Sequence, residues 1–350
     1  MFFKSKQLVG LDIGSTSVKV VALKPIRKGE YELASLGVEN LQPDTIVDGA
    51  IMDKLAVANA INRIYKMQGI KNNTVSTSIS GHSVIVKKIN LPQQSTNELN
   101  ESIMWEAEQY IPFDINDVRL DYEILKPVPG TGTIEVLLVA VKKEKIDDHV
   151  NVINLAGKKP GLVDIDAFAL LNAYRHNYQP SGHTVTALLN IGACLSNLCI
   201  VKGPDLLFTR DISVGGNQYT DFLQKGLGLS FEDAEVVKKG TGEIPVNENE
   251  ANRIIDQVSE IIELEIQKTL DFFKATTTTE KIDRMILSGG SANSKGLKEH
   301  LSQKFEIPVE VFDSFRRVSG STQKFDTAFI KEISPRVAIA VGLAMRSMED

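Results

Sequence analysis

The sequence predicts an α/β protein of two domains, and three stretches carry that prediction. In residues 8–21, apolar runs flank Asp12-Ile13-Gly14-Ser15-Thr16-Ser17, which reads as two strands joined by a tight turn. Residues 185–201 repeat the pattern in the other half of the chain: an apolar strand, Asn190, Ile191, Gly192, a small polar turn and a second apolar strand. Residues 285–293 run a strand into Gly289-Gly290 and a helix start. At 350 residues the chain is long enough for two domains, each with its own core.

The first turn suits phosphate. Gly14 lets the backbone approach a ligand, and the following amides with the Ser15, Thr16 and Ser17 hydroxyls form a concave donor set. Asp12 supplies a carboxylate where a nucleotide-borne Mg²⁺ would sit through water, and Lys19 a point charge for the phosphates. A ligand-free hairpin with a Gly/Ser-rich turn explains this stretch alone equally well. The second copy, with Gly192 and Ala193 in its turn, favours paired phosphate hairpins.

The order and spacing of the two hairpins and the Gly-Gly turn resemble the actin/heat-shock ATPase/sugar kinase superfamily. The resemblance implies an actin-like ATPase fold, two domains around a nucleotide cleft, binding ATP with Mg²⁺. It sets Gly14, Ser15, Thr16, Ser17 and Lys19 on one side of the phosphates and Gly192 and Ala193 on the other. Gly215-Gly216-Asn217, where a helix begins, is expected to offer free amides to anionic oxygens. Gly289, Gly290, Ser291 and Asn293 would pass adenosine, with Glu235 and Lys238 contacting ribose and base. As an i,i+3 pair, Glu235 and Lys238 also read as solvated surface charges.

The rest of the chain fills in around these stretches. Residues 31–38 extend the opening sheet, and a helix follows with Leu55, Ala58, Ile61, Ile64 and Tyr65 as its buried face. Residues 74–79 and 84–89 read as the next strands of that unit. Beyond Pro92, Ser95 and Glu98 form a capping-box pattern, and the helix they open stops at Pro112. Strands over 119–125 and 134–141 and a helix over 145–157 complete a block that interrupts the core. The first core subdomain is expected at 1–89, completed by about 163–184 and the C-terminal helix 335–350, with an inserted subdomain at 90–162. Residues 185–220 and 275–334 form the second core subdomain and 221–274 a helical one. There, a helix from about 248 to 273 leaves Glu260, Glu263 and Glu265 on a wet face, and the Thr276–Thr279 run reads as an exposed linker.

An insertion at this place resembles the FtsA-like branch of the superfamily. Within it, Trp105-Glu106-Ala107-Glu108-Gln109-Tyr110-Ile111-Pro112-Phe113 resembles the type IV pilus assembly family PilM, as do Gly49-Ala50-Ile51, Gly215-Gly216-Asn217 and the final helix with Ala340-Val341-Gly342-Leu343. The resemblance implies an ATP-binding scaffold of the pilus inner-membrane complex, cytoplasmic and peripheral to the membrane through protein partners. It further implies that the N-terminal cytoplasmic segment of PilN lies in a groove between the first core and the insert. The residues expected near it are Val84, Val86, Trp105, Glu106, Glu108, Ile111 and Phe113, although Trp105 by itself reads as packing. The alternative is an FtsA-like filament-forming homologue in cell division or shape. That family ends in a linker and a basic amphipathic helix, whereas here Met345-Arg346-Ser347-Met348-Glu349-Asp350 directly follows the last expected helix. A sugar kinase would need an insertion forming a sugar pocket, which the sequence does not offer. Self-association stays open.

Composition narrows the classes further. Net charge is −6 with no basic block, which argues against nucleic acid. No apolar run approaches the roughly 18 residues of a membrane span, and residues 1–6 lack the apolar core of a signal peptide. Cys194 and Cys199 read as buried small hydrophobes, and the five histidines show no metal or triad spacing.

Where the superfamily usually has a second aspartate, this chain has Asn190. An amide can position a water but cannot accept its proton, and a positioned base contributes roughly 10²–10⁴-fold. At most a slow ATPase is expected. Asp164 and Asp166, where the chain crosses between domains, are acidic candidates, and spacing assigns neither as a base.

Overall fold

The computed structural model describes residues 7–27, 29–277, 280–320 and 324–348. The stretch expected to lack a leader (1–6), Thr278 and Thr279 of the threonine run, and the last two residues lie outside these.

The chain opens with a meander, β1 (Val9–Ile13), β2 (Ser17–Arg27) and β3 (Glu30–Asn40), then a small hairpin, β4 (Ile46–Val47) and β5 (Ala50–Ile51). Helix α1 (Lys54–Gln68) is capped by Asp53 and ends at Gly69. Its buried stripe is Val57, Ala58, Ile61, Ile64 and Tyr65. Leu55, expected on that face, is 62% exposed. Nine residues at 100° each put it opposite Ile64.

Next come β6 (Thr74–Ile79), β7 (Val84–Pro92), α2 (Thr96–Glu108), β8 (Val118–Val128) and β9 (Thr133–Lys142). These lead into α3 (Lys143–Leu155), β10 (Lys159–Ile165) and α4 (Asp166–Tyr178). The Ser95–Glu98 capping box is present. Strands β7, β9 and β8 form a separate antiparallel sheet, covered by Leu99, Ile103 and Ala107 of α2. Several elements therefore differ from the expected layout: β10, which starts inside the expected insert, pairs with β6 of the first core, and Val318–Ser319, expected in the second core, pairs with β3. Strand β7 belongs to this inserted sheet, since it pairs with β9 along its whole length. Helix α3 belongs with the first core, burying Val152 and Ile153 beside Val57 and Ile61.

The second half contains β11 (Val185–Ile191), β12 (Ser196–Lys202), β13 (Asp205–Ile212), α5 (Asn217–Leu227), α6 (Phe231–Lys239), α7 (Glu248–Thr276) and β14 (Arg284–Ser288). It closes with α8 (Leu297–Phe305), β15 (Val309–Val311), β16 (Val318–Ser319), α9 (Thr327–Ile333) and α10 (Ala338–Ala344). On α7, Glu263 does not lie on a wet face. It is buried, 2.9 Å from Lys304 Nζ and 3.0 Å from His300 Nε2.

The two large sheets repeat one plan. The first has the order β10-β6-β1-β2-β3-β16 and the second β13-β12-β11-β14-β15. In each, the hairpin's first strand pairs antiparallel with its second and parallel with a later strand, β6 or β14. Helices α4 and α10 lie between the sheets: one cluster joins Val21, Leu36 and Ile79 to Leu188 and Ile286 through Leu170, Tyr174 and Val341. Each such fully buried aliphatic side chain contributes about 1.5–3 kcal/mol. Helix α10 crosses α4 so closely that a Cβ at Gly342 would overlap the Ala169 carbonyl. On its other side, the Ser76 hydroxyl donates to the Leu343 carbonyl at 2.6 Å.

Candidate functional site

The first hairpin holds its charges by register. Asp12 and Lys19 are cross-strand partners, so both side chains leave the same face. Lys19 Nζ lies 3.0 Å from Asp12 Oδ2, with both side chains largely buried. Gly14 N donates to Ser17 O at 3.1 Å and closes the turn.

The second hairpin closes in the same way, Gly192 N to Leu195 O at 2.9 Å. Its turn is also the anchor for the segment at 215–217. Gly216 N donates to Gly192 O and Asn217 N to Ala193 O, each at 2.8 Å. The amides of Gly216 and Asn217, expected to be free for anionic oxygens, are thus already satisfied by the hairpin they pack on. The Gly-Gly turn adds the third wall. Gly289 has φ +89°, and a Cβ there would overlap the Ile191 carbonyl, so only glycine brings the turn this close. Residues Gly290–Asn293 form a 3₁₀ turn, with Ser291 against Gly216 and Asn293 Nδ2 donating to Glu332 O at 3.1 Å.

Glu235 and Lys238 are not a solvated pair. Lys238 is 4% exposed and ion-pairs with Glu235, which also accepts from Thr220 Oγ1 at 2.6 Å. Burial holds the Lys238 ammonium below its ordinary pKa, against the pull of Glu235. Burial pushes the Glu235 carboxyl up, but Lys238 and the Thr220 hydroxyl more than offset it, leaving it low. Lys238 Nζ also lies 3.5 Å from Gly216 O, directly behind the turn.

Asn190 does not reach toward solvent as a water-positioning group would. Its Nδ2 donates to Asn197 Oδ1 at 3.0 Å and its Oδ1 accepts from Ser288 Oγ at 3.2 Å. The carboxylate that sequence spacing did not single out is Asp166, the first residue of α4. It is half-buried, accepts from Ser78 Oγ at 2.5 Å, and is pushed up to about 6 by desolvation and by the neighbouring Asp12 charge. Asp164, two residues earlier, pairs instead with Arg346 at 3.0 Å. The Asp-x-Asp at a domain crossing was the available signal. Only the fold separates the two roles.

Of the two cysteines, Cys199 is buried, its thiol pushed up to about 12 by burial, whereas Cys194 is half-buried in the second turn, 3.4 Å from Asn217 Nδ2. Among the described residues, no group of three or more His, Cys, Asp or Glu is placed to hold a metal ion.

A cavity of about 410 Å³ lies where the first core, the insert and β13 meet, and Val84, Val86 and Phe113 line it with Asp166 and Asp211. Other residues expected near the partner groove lie elsewhere. Ile111 is buried in the core of the insert. Trp105 is 75% exposed on α2, so it is not packing, and neither it nor Glu106 or Glu108 lines the cavity. The helix turns its Leu99–Ile103–Ala107 stripe inward, which puts Trp105 outside. No helix among the described residues is long and apolar enough to cross a membrane.

Comparison with known proteins matches this architecture. The chain is 22% identical to the cell division protein FtsA of Enterococcus faecalis over an alignment 361 positions long, covering 88% of this chain and 79% of that one. The structure of MreB5 of Spiroplasma citri bound to ADP superposes with a TM-score of 0.50 at 17% identity, over 93% of this chain and 98% of that one. A PilM–PilN type IV pilus biogenesis complex superposes with a TM-score of 0.86 at 26% identity, over 98% of this chain and 99% of that one. The fold is an actin-like ATPase fold. The family described as type IV pilus assembly protein PilM matches residues 10–348, nearly the whole chain. The chain belongs to the type IV pilus assembly protein PilM family.

Proposed function

We propose that this protein is an ATP-binding scaffold at the cytoplasmic face of the type IV pilus inner-membrane machinery, recruited by the N-terminal segment of PilN. The observation that carries the nucleotide half is the duplicated hairpin, with Asp12 and Lys19 paired at one turn and the Gly192, Gly216 and Gly289 turns packed together at the other. This donor set fits a Mg²⁺-nucleotide. Asp12 would hold the hydrated cation and Lys19 the phosphates, with the backbone amides at 15, 16 and 193 completing the cradle, since those of Gly14 and Gly192 close their own turns. Glu235 and Lys238 stiffen the turn behind Gly216 and stand on the adenosine side. Bound Mg²⁺ would supply charge neutralisation of the phosphates. Asn190 supplies no proton acceptor, and Asp166, basic for a carboxyl, is the residue able to take one. Slow turnover is the expectation.

The partner half rests on likeness to the PilM–PilN complex and on the cavity lined by Val84, Val86 and Phe113. An extended, largely apolar peptide suits that lining, and a cation on it would meet Asp166 and Asp211. Titration of a PilN N-terminal peptide and of AMPPNP with Mg²⁺ by calorimetry tests both halves. Saturable 1:1 binding of each is expected, and absence of either removes that half.

A further inference from the structure

One row of polar side chains crosses the second sheet, and the functional reading does not use the bonds that link it. Ser288, Asn190, Asn197 and Asp211 occupy successive register positions on β14, β11, β12 and β13. Ser288 Oγ donates to Asn190 Oδ1 at 3.2 Å, Asn190 Nδ2 to Asn197 Oδ1 at 3.0 Å, and Asn197 Nδ2 to Asp211 Oδ1 at 2.7 Å. The other oxygen of Asp211 accepts from the backbone N–H of Gly81, in the first core, at 2.5 Å. Ser288, Asn190 and Asn197 are all buried.

The carboxylate sets the direction of the whole row. Asp211 only accepts, so Asn197 must turn its NH₂ toward it and its carbonyl toward Asn190. Asn190 must then give its own NH₂ and take the serine proton. No member can flip alone without opposing two acceptors, and head-to-tail bonds in a buried row reinforce one another. The row has two functional ends. Ser288 immediately precedes Gly289, whose N–H is tied to Pro335 O at 2.8 Å. Gly81 lines the cavity, and its carbonyl accepts from Val84 N at 2.9 Å, fixing the start of β7. Beside it, His82 Nε2 and Ser213 Oγ are 2.7 Å apart, a second bond across the same domain boundary.

We infer that Asn190, Asn197 and Asp211 are positioning residues that couple the Gly289 turn to the Gly81–Val84 segment, so that nucleotide in the cleft sets the geometry of the cavity. The inference rests on the nucleotide reading above and extends it to regulation. A shift of the Gly289 turn moves Ser288 and, through a row that cannot flip piecemeal, makes or breaks the Asp211–Gly81 bond. The bistable element is that inter-domain bond.

Hydrogen exchange of residues 79–87 in the full chain, with and without saturating AMPPNP and Mg²⁺, tests this. In the wild type, nucleotide should change exchange there by about fivefold or more, the lower end of ordinary coupling. Asp211→Asn has one acceptor for two donors, and Ser288→Ala removes only the first link. In either variant the nucleotide-dependent change should shrink to less than twofold, while calorimetry still shows AMPPNP bound. A merely structural row would alter melting temperature but leave the nucleotide-dependent ratio at its wild-type value. That result, or an unchanged 79–87 segment in nucleotide-bound wild type, overturns the inference. If wild type shows no AMPPNP binding by calorimetry, the functional reading falls and takes the inference with it.

Discussion

Lys19 Nζ stands 3.0 Å from Asp12 Oδ2 across one rung of the first hairpin. Each charge is the other's main compensation in a largely buried place, and each is also a group that a Mg²⁺-nucleotide would engage. Asp12→Ala should weaken Mg²⁺-dependent ATP binding at least about tenfold, or 1.4 kcal/mol. Calorimetry with and without Mg²⁺ measures this, and an unchanged affinity would show the site misassigned.

Asn190→Asp looks from sequence like the restoration of a missing aspartate, and faster hydrolysis is the natural expectation. The row gives a different outcome. An aspartate there would face Asn197 Oδ1 with no donor, and Asn197 cannot flip without turning that oxygen on Asp211. The variant should lose roughly 1–3 kcal/mol of stability, the cost of an unsatisfied buried group, with no gain in turnover. Urea denaturation and a phosphate-release assay on the same preparation decide it.

Asp166 gives a pH signature. Its folded pKa, about 6, lies above the ordinary carboxyl value of 3.8, so the folded state holds a proton that the unfolded chain has released between those values. Stability from this group is therefore full below about pH 4 and lost as pH rises to 6, a penalty of roughly 2–3 kcal/mol at neutrality. Asp166→Asn should be more stable than wild type at pH 7.5, with the difference shrinking toward pH 4.5. Paired thermal melts at the two pH values read it, and a constant difference would count against a raised pKa.

At the cavity, Val86→Asp should weaken PilN-peptide binding at least about tenfold by burying a charge in an apolar lining. Trp105→Ala should change it less than twofold, since Trp105 stands outside that lining. Fluorescence anisotropy of a labelled peptide separates the two. A larger effect at Trp105 would move the docking face onto α2.

The strands and turns of the fold were legible because they are local. The hairpin pattern, the Ser95–Glu98 box and the apolar stripe of α7 are written in neighbouring residues. What depended on partners far along the chain was not. Strand β7 has the same alternation whether it extends the first sheet or joins the insert, and only pairing with β9 decides. Glu263 reads as one more acid on a charged helix until Lys304 and His300 are brought to it. The amides at Gly216 and Asn217 look free at a helix start, because their acceptors lie more than twenty residues back. Asn190 was legible as a departure from its superfamily, but its reason lies in three other strands.

The close crossing of α10 over α4 bears on how the chain is made. The first sheet is laid down by β1, β2, β3 and β6, yet its inner face is covered by residues 338–344, and Ser76 waits for the Leu343 carbonyl, 267 positions later. A nascent chain thus carries Val21, Leu36 and Ile79 without their final cover until α10 has been made. Closure of so long a loop must then precede the reward of its contacts, a recipe for slow folding and for exposure to aggregation in the meantime. Ribosome-bound chains halted before residue 338 should remain protease-sensitive in the first core, whereas the β7–β9–β8 block, whose contacts are near in sequence, has what it needs to form early.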